Sequence, residues 1–298
     1  MPSFRVPSRL GRYRGAPRLY TLTPPDEVGV CDVSPSPRVA ELPPEWSRSK
    51  LAVVIPTYNE ADTLPVLVKH LFALPLPRLT VIVADDNSPD GTGAIADDLA
   101  AVENQQGQDR MVVLHRPGKA GIGRAHAAGM SAALERGFDY VAQMDADLSH
   151  PPEAIPGMLG TLLSLDAGVV IGSRYVNGGS LSSDWGRNRR FLSAFANFYV
   201  NAILTLRIRD ATAGFKVWRA DVLTRIGLDS LRSDGYSFQV EMNYRCTNLG
   251  YLAVEVPIHF EERLTGASKM GLATKWESMW MPFILRRQNR RQHSHPQP

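Results

Sequence analysis

Cysteine and long apolar runs are scarce in this sequence, and each absence excludes a class of protein. The 298 residues include two cysteines, Cys31 and Cys246, too few for the disulfide framework of a small secreted domain. We therefore expect a reducing, cytoplasmic compartment. No run reaches the roughly 18 apolar residues that a membrane-spanning helix needs. The longest candidate, residues 191–206, is interrupted by Asn197 and Asn201, so we expect contact with a membrane from its surface only.

The glycine motifs of common phosphate-binding loops are also missing. No GxGxxG follows the first predicted strand, and neither GxxxxGKS nor GxxxxGKT occurs, which argues against dinucleotide oxidoreductases and P-loop nucleotidases. The glycines of GKAGIGRAH, residues 118–126, are weak evidence for a phosphate loop. The formal charge is only +3, and the basic residues gather at the two ends without an aromatic-basic motif, so no nucleic-acid partner is expected. Any bound phosphate must be held by a metal ion and arginines.

Composition divides the chain into three regions. Residues 1–48 are rich in proline, arginine and serine without apolar periodicity, which is typical of a disordered tail or linker. Residues 49–270 have the mixed composition of one large α/β domain. Residues 271–298 combine tryptophans, a short apolar stretch and a basic cluster. This amphipathic segment is expected either at a membrane interface or on the core of the protein itself.

Short apolar runs rich in β-branched residues alternate with helix-length segments between residues 51 and 173. This alternation predicts a mostly parallel sheet flanked by helices. In such sheets, ligands bind outside the carboxyl ends of the strands, and polar residues cluster there in this sequence. The runs are LAVVIP (51–56), TVIVADD (80–86), MVVLH (111–115), YVAQMDAD (140–147) and GVVIGS (168–173).

Two carboxylates, Asp145 and Asp147, lie two residues apart at the end of the fourth run. Carboxylates that approach one point repel each other unless a cation lies between them. Mg²⁺ or Mn²⁺ suits these oxygen ligands, with a substrate diphosphate completing the octahedron. Taken alone, the pair is better explained by a turn in which Asp147 caps the next helix, but its place among several polar strand ends reverses that preference and favours the cation.

Arginines supply the complementary charge. Arg174 follows the fifth run directly, while Arg189 and Ser193 lie four residues apart on one face of a predicted helix. Such a set is typical of a phosphate clamp. The alternative is an ordinary solvated arginine on an amphipathic helix.

Eight stretches in a fixed order carry a family resemblance. They are LAVVIPTYNE, VADDNSPDGT, MDADLSHPP, IGSRYVNGG, RRFLSAFAN, DATAGFK, YSFQVEM and ERLTGASKM. Together they resemble the polyprenol- or dolichol-phosphate mannosyltransferases of glycosyltransferase family 2, which have the Rossmann-like GT-A fold. The resemblance extends over residues 51–270.

The resemblance implies an enzyme with GDP-mannose as donor, a polyprenyl phosphate as acceptor, Mg²⁺ or Mn²⁺ as cofactor and inversion at the sugar carbon. A polyprenyl-phosphate glucosyltransferase that uses a UDP-sugar is the alternative. A catalytically silent scaffold would have no reason to keep every charged residue. The acceptor phosphate is largely a dianion at neutral pH, so it needs no strong general base.

The resemblance also implies a role for individual residues. The nucleoside contacts would be Pro56, Tyr58, Glu60, Ala84 and Asp86. The ion would be bound by Asp145 and Asp147 beside the backbone of Ala146, with a shorter or water-mediated third contact from Ser149. The donor phosphates would be neutralised by Arg263 and Lys269, and the lipid phosphate gripped by Arg174, Arg189 and Ser193. The catalytic set is Asp147, Arg174 and Arg189. Glu241 is expected either to orient mannose hydroxyls or to be a solvated helix residue.

Residues 191–206 and 271–298 are expected to be amphipathic helices that lie on a membrane surface. The enzyme would then be peripheral, on the inner face of the plasma membrane. In actinobacterial relatives the resemblance further suggests a membrane acyltransferase-like partner protein, with residues 1–48 as its tether.

Overall fold

The protein is described by a computed structural model that covers residues 39–105, 107, 109–182, 186–233, 235, 237–261 and 279–287, with the backbone alone for 187–189. The helices are α1 (Pro44–Ser47), α2 (Leu64–Phe72), α3 (Thr92–Glu103), α4 (Ile122–Glu135), α5 (Ile155–Leu165), α6 (Arg187–Leu204), α7 (Ala220–Ile226), α8 (Ser237–Asn248) and α9 (279–287). The strands are β1 (Leu51–Thr57), β2 (Leu79–Asp85), β3 (Met111–His115), β4 (Tyr140–Gln143), β5 (Val169–Ser173), β6 (Ser180–Leu181), β7 (Lys216–Arg219), β8 (Ala253–Pro257) and β9 (His259–Phe260).

Seven of these strands form one sheet in the order β3-β2-β1-β4-β7-β5-β8. All neighbours are parallel except β7, which runs antiparallel to both β4 and β5. The expected mostly parallel α/β fold is confirmed. The register places Thr57 of β1 opposite Asp85 of β2, and β1 also pairs with β4. The carboxyl ends of β1, β2 and β4 therefore meet at one edge of the sheet. A separate two-stranded parallel sheet joins β6 and β9.

Helices cover both faces of the sheet. Alternate residues of a buried strand point to opposite faces, so each face contributes side chains to its own layer of the core. Leu51, Val53 and Ile55 of β1 pack against α2, α3 and α5. The intervening Ala52 and Val54 face the other layer, which contains α4, α6, α7, α8 and α9. Helix α4 approaches β1 most closely at a glycine: a Cβ on Gly129 would lie 2.4 Å from a methyl group of Val54. This contact fixes the start of α4 beside the strand ends.

The folded domain begins earlier than the sequence predicts. The sequence predicts that residues 39–48 belong to the disordered tail, but they include α1 and pack on α5. A Cβ on Gly160 of α5 would lie 2.8 Å from Leu42, so the segment rests directly on the helix. The boundary at residue 49 is therefore too late. Residues 1–38, 262–278 and 288–298 lie outside the described residues, as does most of the predicted C-terminal segment.

Within the described ranges, no helix combines the length and the apolar character needed to cross a membrane.

Candidate functional site

A cavity of about 210 Å³ opens at the edge of the sheet where β1, β2 and β4 end. This is the place at which open α/β sheets bind ligands. Its walls come from the segments that follow these three strands, from the start of α4 and from one residue before α8. The lining residues are Pro56, Thr57, Tyr58, Glu60, Asp86, Lys119, Gly121, Ile122, Ala125, Asp145, Ala146, Asp147 and Gly235. The structure thus brings most of the expected donor-binding residues into one cavity.

The wall after β1 carries an aromatic ring and a carboxylate. The Lys119 ammonium lies 4.2 Å from the centre of the Tyr58 ring, a cation–π distance. The backbone N–H of Glu60 donates to the Thr92 hydroxyl at 2.9 Å, and the Glu60 side chain accepts from Thr63 at 3.0 Å. Both Tyr58 and Glu60 are therefore positioned by contacts outside β1.

The wall after β2 centres on Asp86, which is nearly buried. Its carboxylate pairs with the Arg116 guanidinium and accepts a long hydrogen bond from the backbone N–H of Ala120 at 3.4 Å. Burial raises the pKa of the Asp86 carboxyl above its ordinary value, and the nearby Arg116 charge opposes that shift. The neighbouring Asp85 is turned away and accepts from Thr57 at 2.8 Å and Ser88 at 2.6 Å, which fixes the loop.

Asp147 is held by Ser149. Its Oδ1 accepts the Ser149 backbone N–H at 3.2 Å and the Ser149 hydroxyl at 2.5 Å. Ser149 is fully buried, whereas Asp147 lines the cavity. Ser149 therefore orients Asp147, and its shorter or water-mediated contact with the ion stays a prediction.

Asp145 is surrounded by two buried histidines. Its backbone N–H donates to Nδ1 of His150 at 3.2 Å. Burial lowers the pKa of His150, which keeps the imidazole neutral and its Nδ1 able to accept. The Asp145 Oδ1 lies 3.7 Å from Nε2 of His126 on α4. His150 stacks on Phe215 with ring centres 5.2 Å apart, so the turn after β4 is anchored to the core.

The side chains at this edge fit a divalent cation. Asp145 and Asp147 both line the cavity and offer carboxylate oxygens, the ligands that Mg²⁺ and Mn²⁺ prefer. Among the residues that the structure describes, no three side chains of the His, Cys, Asp or Glu type converge on one point. That arrangement suits an ion whose other ligands are substrate phosphate oxygens and water.

Arg174 lies apart from the cavity lining, in a buried ion pair. Its Nε and Nη2 donate to the two carboxylate oxygens of Asp210 at 2.8 and 2.7 Å, and its backbone N–H donates to the same group at 2.9 Å. Burial alone would lower the pKa of Arg174, but the hydrogen bonds and charge of Asp210 raise it. The guanidinium is thus held permanently charged in a fixed orientation.

Helix α6 is tied to this ion pair through asparagines. Asn197 donates to the Ser193 carbonyl at 3.2 Å and to Asp210 at 3.5 Å, and it accepts the backbone N–H of Thr212 at 3.2 Å. Asn201 bonds both backbone groups of Ile208. These bonds join the middle of α6 to the Arg174–Asp210 pair, and a phosphate site shared by Arg174 and Ser193 stays a prediction.

Other expected residues are placed differently. Ala84 is buried in β2 opposite Pro56 and does not line the cavity. The side chain of Arg189 and all of Arg263 and Lys269 lie outside the described residues. Glu241 is fully buried and accepts hydrogen bonds from the 232–233 segment and from Arg245. The interpretation of Glu241 as a solvated helix residue is therefore wrong, and its contact with mannose hydroxyls stays a prediction.

The sequence analysis missed the part of the site contributed by residues 116–126. Arg116, Lys119, Gly121, Ile122 and His126 all contact or line the site. A signal is present in the sequence, because residues 116–126 follow the carboxyl end of β3 and include charged residues as well as the glycines of GKAGIGRAH.

Known proteins resemble this chain in sequence and in fold. A polyprenol monophosphomannose synthase from Mycolicibacterium smegmatis is 44% identical over 76% of this chain and 83% of its own. An undecaprenyl-phosphate mannosyltransferase from Micrococcus luteus is 42% identical over 77% of this chain and 97% of its own.

Two solved structures share the fold at low identity. A mannosyltransferase from Pyrobaculum calidifontis, in complex with GDP-Man and Mn²⁺, has a TM-score of 0.51 at 18% identity and covers 80% of this chain and 63% of that one. A glucosyl-3-phosphoglycerate synthase from Mycobacterium tuberculosis, with Mn²⁺ and UDP, has a TM-score of 0.56 at 17% identity and covers 81% and 80%. At these identities the likeness concerns the fold alone. The sequence model described as "Glycosyl transferase family 2" matches residues 52–227, and with relatives above 40% identity the chain belongs to that family.

Proposed function

We propose that this glycosyltransferase moves mannose from GDP-mannose to the phosphate of a polyprenyl phosphate, with inversion at the sugar carbon. The observation that carries the proposal is the cavity in which Tyr58, Asp86, Asp145 and Asp147 meet. Two relatives above 40% identity, named for mannose transfer to polyprenol or undecaprenyl phosphate, support the choice of sugar and acceptor.

The donor fits the cavity by its charge. Tyr58 and Asp86 would contact the nucleoside, and the Lys119 ammonium, which also lines the cavity, would pair with the diphosphate. Gly121 and Ile122 line the cavity at the N-terminus of α4, where the helix dipole favours an anion. Asp145 and Asp147 would hold Mg²⁺ or Mn²⁺. When bound, the ion offsets the charge that develops on the leaving diphosphate.

The reaction needs little proton transfer. A phosphate oxygen of the acceptor forms the new bond to the sugar carbon while the bond from that carbon to the β-phosphate oxygen breaks, releasing GDP. Because the acceptor is already largely a dianion, no strong general base is required. The obstacle is repulsion between two anions, and Arg174, with Arg189 and Ser193 on α6, would reduce it on the acceptor side.

A transfer assay tests the sugar and the nucleotide together. Purified protein with Mn²⁺ is expected to move label from GDP-mannose to a short polyprenyl phosphate, and UDP-glucose is expected to give less than a tenth of that rate. The assay uses both donors with acceptors of several chain lengths and measures labelled lipid. Transfer from UDP-glucose without transfer from GDP-mannose would overturn the mannose assignment in favour of the glucosyltransferase alternative.

The acceptor requires access to a membrane surface, and helices α6 and α9 supply an apolar one. Four side chains of α6 and four of α9 are at least 42% exposed although they are large and apolar. The two helices touch: the Tyr199 hydroxyl donates to the backbone carbonyl of Met279 at 2.6 Å and its ring lies 6.3 Å from that of Phe283. We call this the α6–α9 surface. Its members are Phe191, Leu192, Phe195, Phe198, Met279, Trp280, Phe283 and Ile284.

Core packing does not account for the α6–α9 surface, because other residues of the same helices are the buried ones. In α6 these are Asn197, Val200 and Leu204, and in α9 they are Met281 and Leu285. A contiguous aromatic patch of this kind marks a site of interaction, and aromatic side chains are typical of membrane interfaces. We infer peripheral attachment through this surface. The choice of membrane leaflet, the partner protein and the role of residues 1–38 stay predictions.

The double change Phe191→Ser and Phe198→Ser should weaken binding to anionic lipid vesicles by roughly 100-fold, since each buried phenylalanine contributes about 1.5 kcal/mol or more. The two rings are 74% and 71% exposed, so the fold should tolerate both changes. Val102→Ser, which changes a 60% exposed apolar position on α3, is the control and should bind like wild type. Vesicle co-sedimentation measures the effect. Equal binding by the double variant and the control would refute attachment through this surface.

A further inference from the structure

His126 is a buried polar side chain that the proposed reaction leaves without a task. It lies on α4 with no exposed surface, and neither ring nitrogen has a hydrogen-bond partner among the described residues. Its ring stacks parallel on Phe238, with centres 5.9 Å apart and planes 6° apart. Burying an imidazole without hydrogen bonds is unfavourable, and a phenylalanine would fill the same stack without that cost. Packing therefore explains why an aromatic ring is present at this position, but it does not explain why the ring carries two polar nitrogens.

One ring nitrogen of His126 lies close to the Asp145 carboxylate. Nε2 lies 3.7 Å from Oδ1 of Asp145, slightly beyond hydrogen-bonding range. The backbone of Asp145 is already fixed, because its N–H donates to His150 at 3.2 Å. The ring itself is restrained by Phe238, so the donor position is set in advance.

The two carboxylates of the pair then have matching supports. Asp147 receives two hydrogen bonds from Ser149, which fix the direction of its carboxylate. His126 from α4 lies where it can give the Asp145 carboxylate the same kind of support. Groups that hydrogen-bond a ligating side chain orient it, and their loss typically lowers metal affinity by about 10- to 100-fold.

We propose that His126 is a positioning residue for the cation site: its Nε2–H donates to Oδ1 of Asp145 and turns that carboxylate toward the ion shared with Asp147. The proposal rests on the metal site of the proposed function. It also connects the site to α4, whose first residues line the same cavity. His126 contacts neither substrate nor ion in this arrangement and acts through Asp145.

Mn²⁺ binding in the presence of saturating GDP tests this role without relying on turnover. Electron paramagnetic resonance measures the binding through the loss of the free Mn²⁺ signal. His126→Phe keeps the stack on Phe238 and removes the donor, and it should raise the dissociation constant for Mn²⁺ about 10-fold or more. His126→Gln places an amide N–H at similar reach and should recover most of the affinity. His70→Phe is the control for loss of a histidine, because His70 lies on α2 and is half exposed.

Wild-type affinity in His126→Phe would overturn the proposal, as would an equal loss in His126→Phe and His126→Gln, which would show a packing effect. These outcomes leave the proposed function intact. A wild-type protein that binds no Mn²⁺ with GDP would instead overturn both the proposed metal site and the role of His126. Thermal unfolding of each variant is measured alongside, and His126→Phe is expected to unfold at or above the wild-type temperature, since it buries no unpaired nitrogen.

Discussion

Replacing Asp147 with asparagine should lower the rate of mannose transfer on the order of 100- to 1,000-fold while leaving the fold unchanged. The carboxylate lines the cavity at the carboxyl end of β4, where the proposed reaction would develop charge on the leaving diphosphate. Asparagine retains an oxygen that can accept the two hydrogen bonds from Ser149, so the turn keeps its contacts. The change removes the negative charge and little else. Steady-state transfer from labelled GDP-mannose at saturating Mn²⁺ measures the loss.

Asp166→Asn is the matched control for this substitution. Asp166 ends α5 in the left-handed region, with a φ of 48°, which asparagine also tolerates. Its side chain is 89% exposed and lies in a different part of the fold. The control should transfer mannose at the wild-type rate and unfold within about 0.5 kcal/mol of wild type, as most surface changes do. If Asp147→Asn retained more than a tenth of the wild-type rate, Asp147 could not be an essential ligand of a required ion.

Much of the site could be predicted from the sequence because its residues follow the carboxyl ends of parallel strands. Each run of β-branched residues is read locally, and parallel strands must bring their carboxyl ends to the same edge. Tyr58, Asp86 and Asp145 follow three different strands and line one cavity for that reason. The neighbouring order of β2, β1 and β4 was not needed for this inference, because all three strands point the same way.

Contacts between distant helices and strands were not predictable in this way. The pairing of Asp86 with Arg116 and the approach of His126 to Asp145 depend on how α4 and the loop before it pack across the sheet. The direction of β7 is a further case. A four-residue strand has no local signature of being antiparallel, yet its reversal places the segment before it beside the turn after β4.

Lys216, at the start of β7, is a single group whose environment could not be predicted from the sequence either. A lysine in a short motif is expected at the surface, but this one is fully buried and donates to the Gln239 side chain at 2.6 Å. Burial lowers the pKa of its ammonium to about 7. Gln239 in turn accepts from Gln143, whose carbonyl oxygen accepts from Trp218. This hydrogen-bond network forms only once β4, β7 and α8 are assembled, so no segment of the sequence encodes it alone.

Replacing Asp210 with asparagine should lower the free energy of unfolding by about 3 to 5 kcal/mol, the usual effect of breaking a buried ion pair. Asp210 is fully buried and accepts three hydrogen bonds from Arg174, whose side chain is only 10% exposed. Without the carboxylate, a guanidinium stays buried without its counter-charge. Chemical denaturation measures the change. Asp221→Asn is the control, because Asp221 makes a similar two-pronged contact with Arg219 at the surface and should cost less than about 1 kcal/mol.

Combining Asp210→Asn with Arg174→Met separates stability from function. The double variant buries no uncompensated charge, so it should recover much of the lost unfolding free energy. Mannose transfer should nevertheless stay low, because the proposed grip on the acceptor phosphate needs the Arg174 guanidinium. If the double variant regained both stability and transfer, Arg174 would be a structural partner of Asp210 with no part in the reaction. If stability returned without activity, the role of the buried Asp210–Arg174 pair would be to keep the guanidinium charged and oriented for the acceptor phosphate. The hydrogen bond from Asn197 of α6 to Asp210 would then connect that orientation to the helix that we propose meets the lipid.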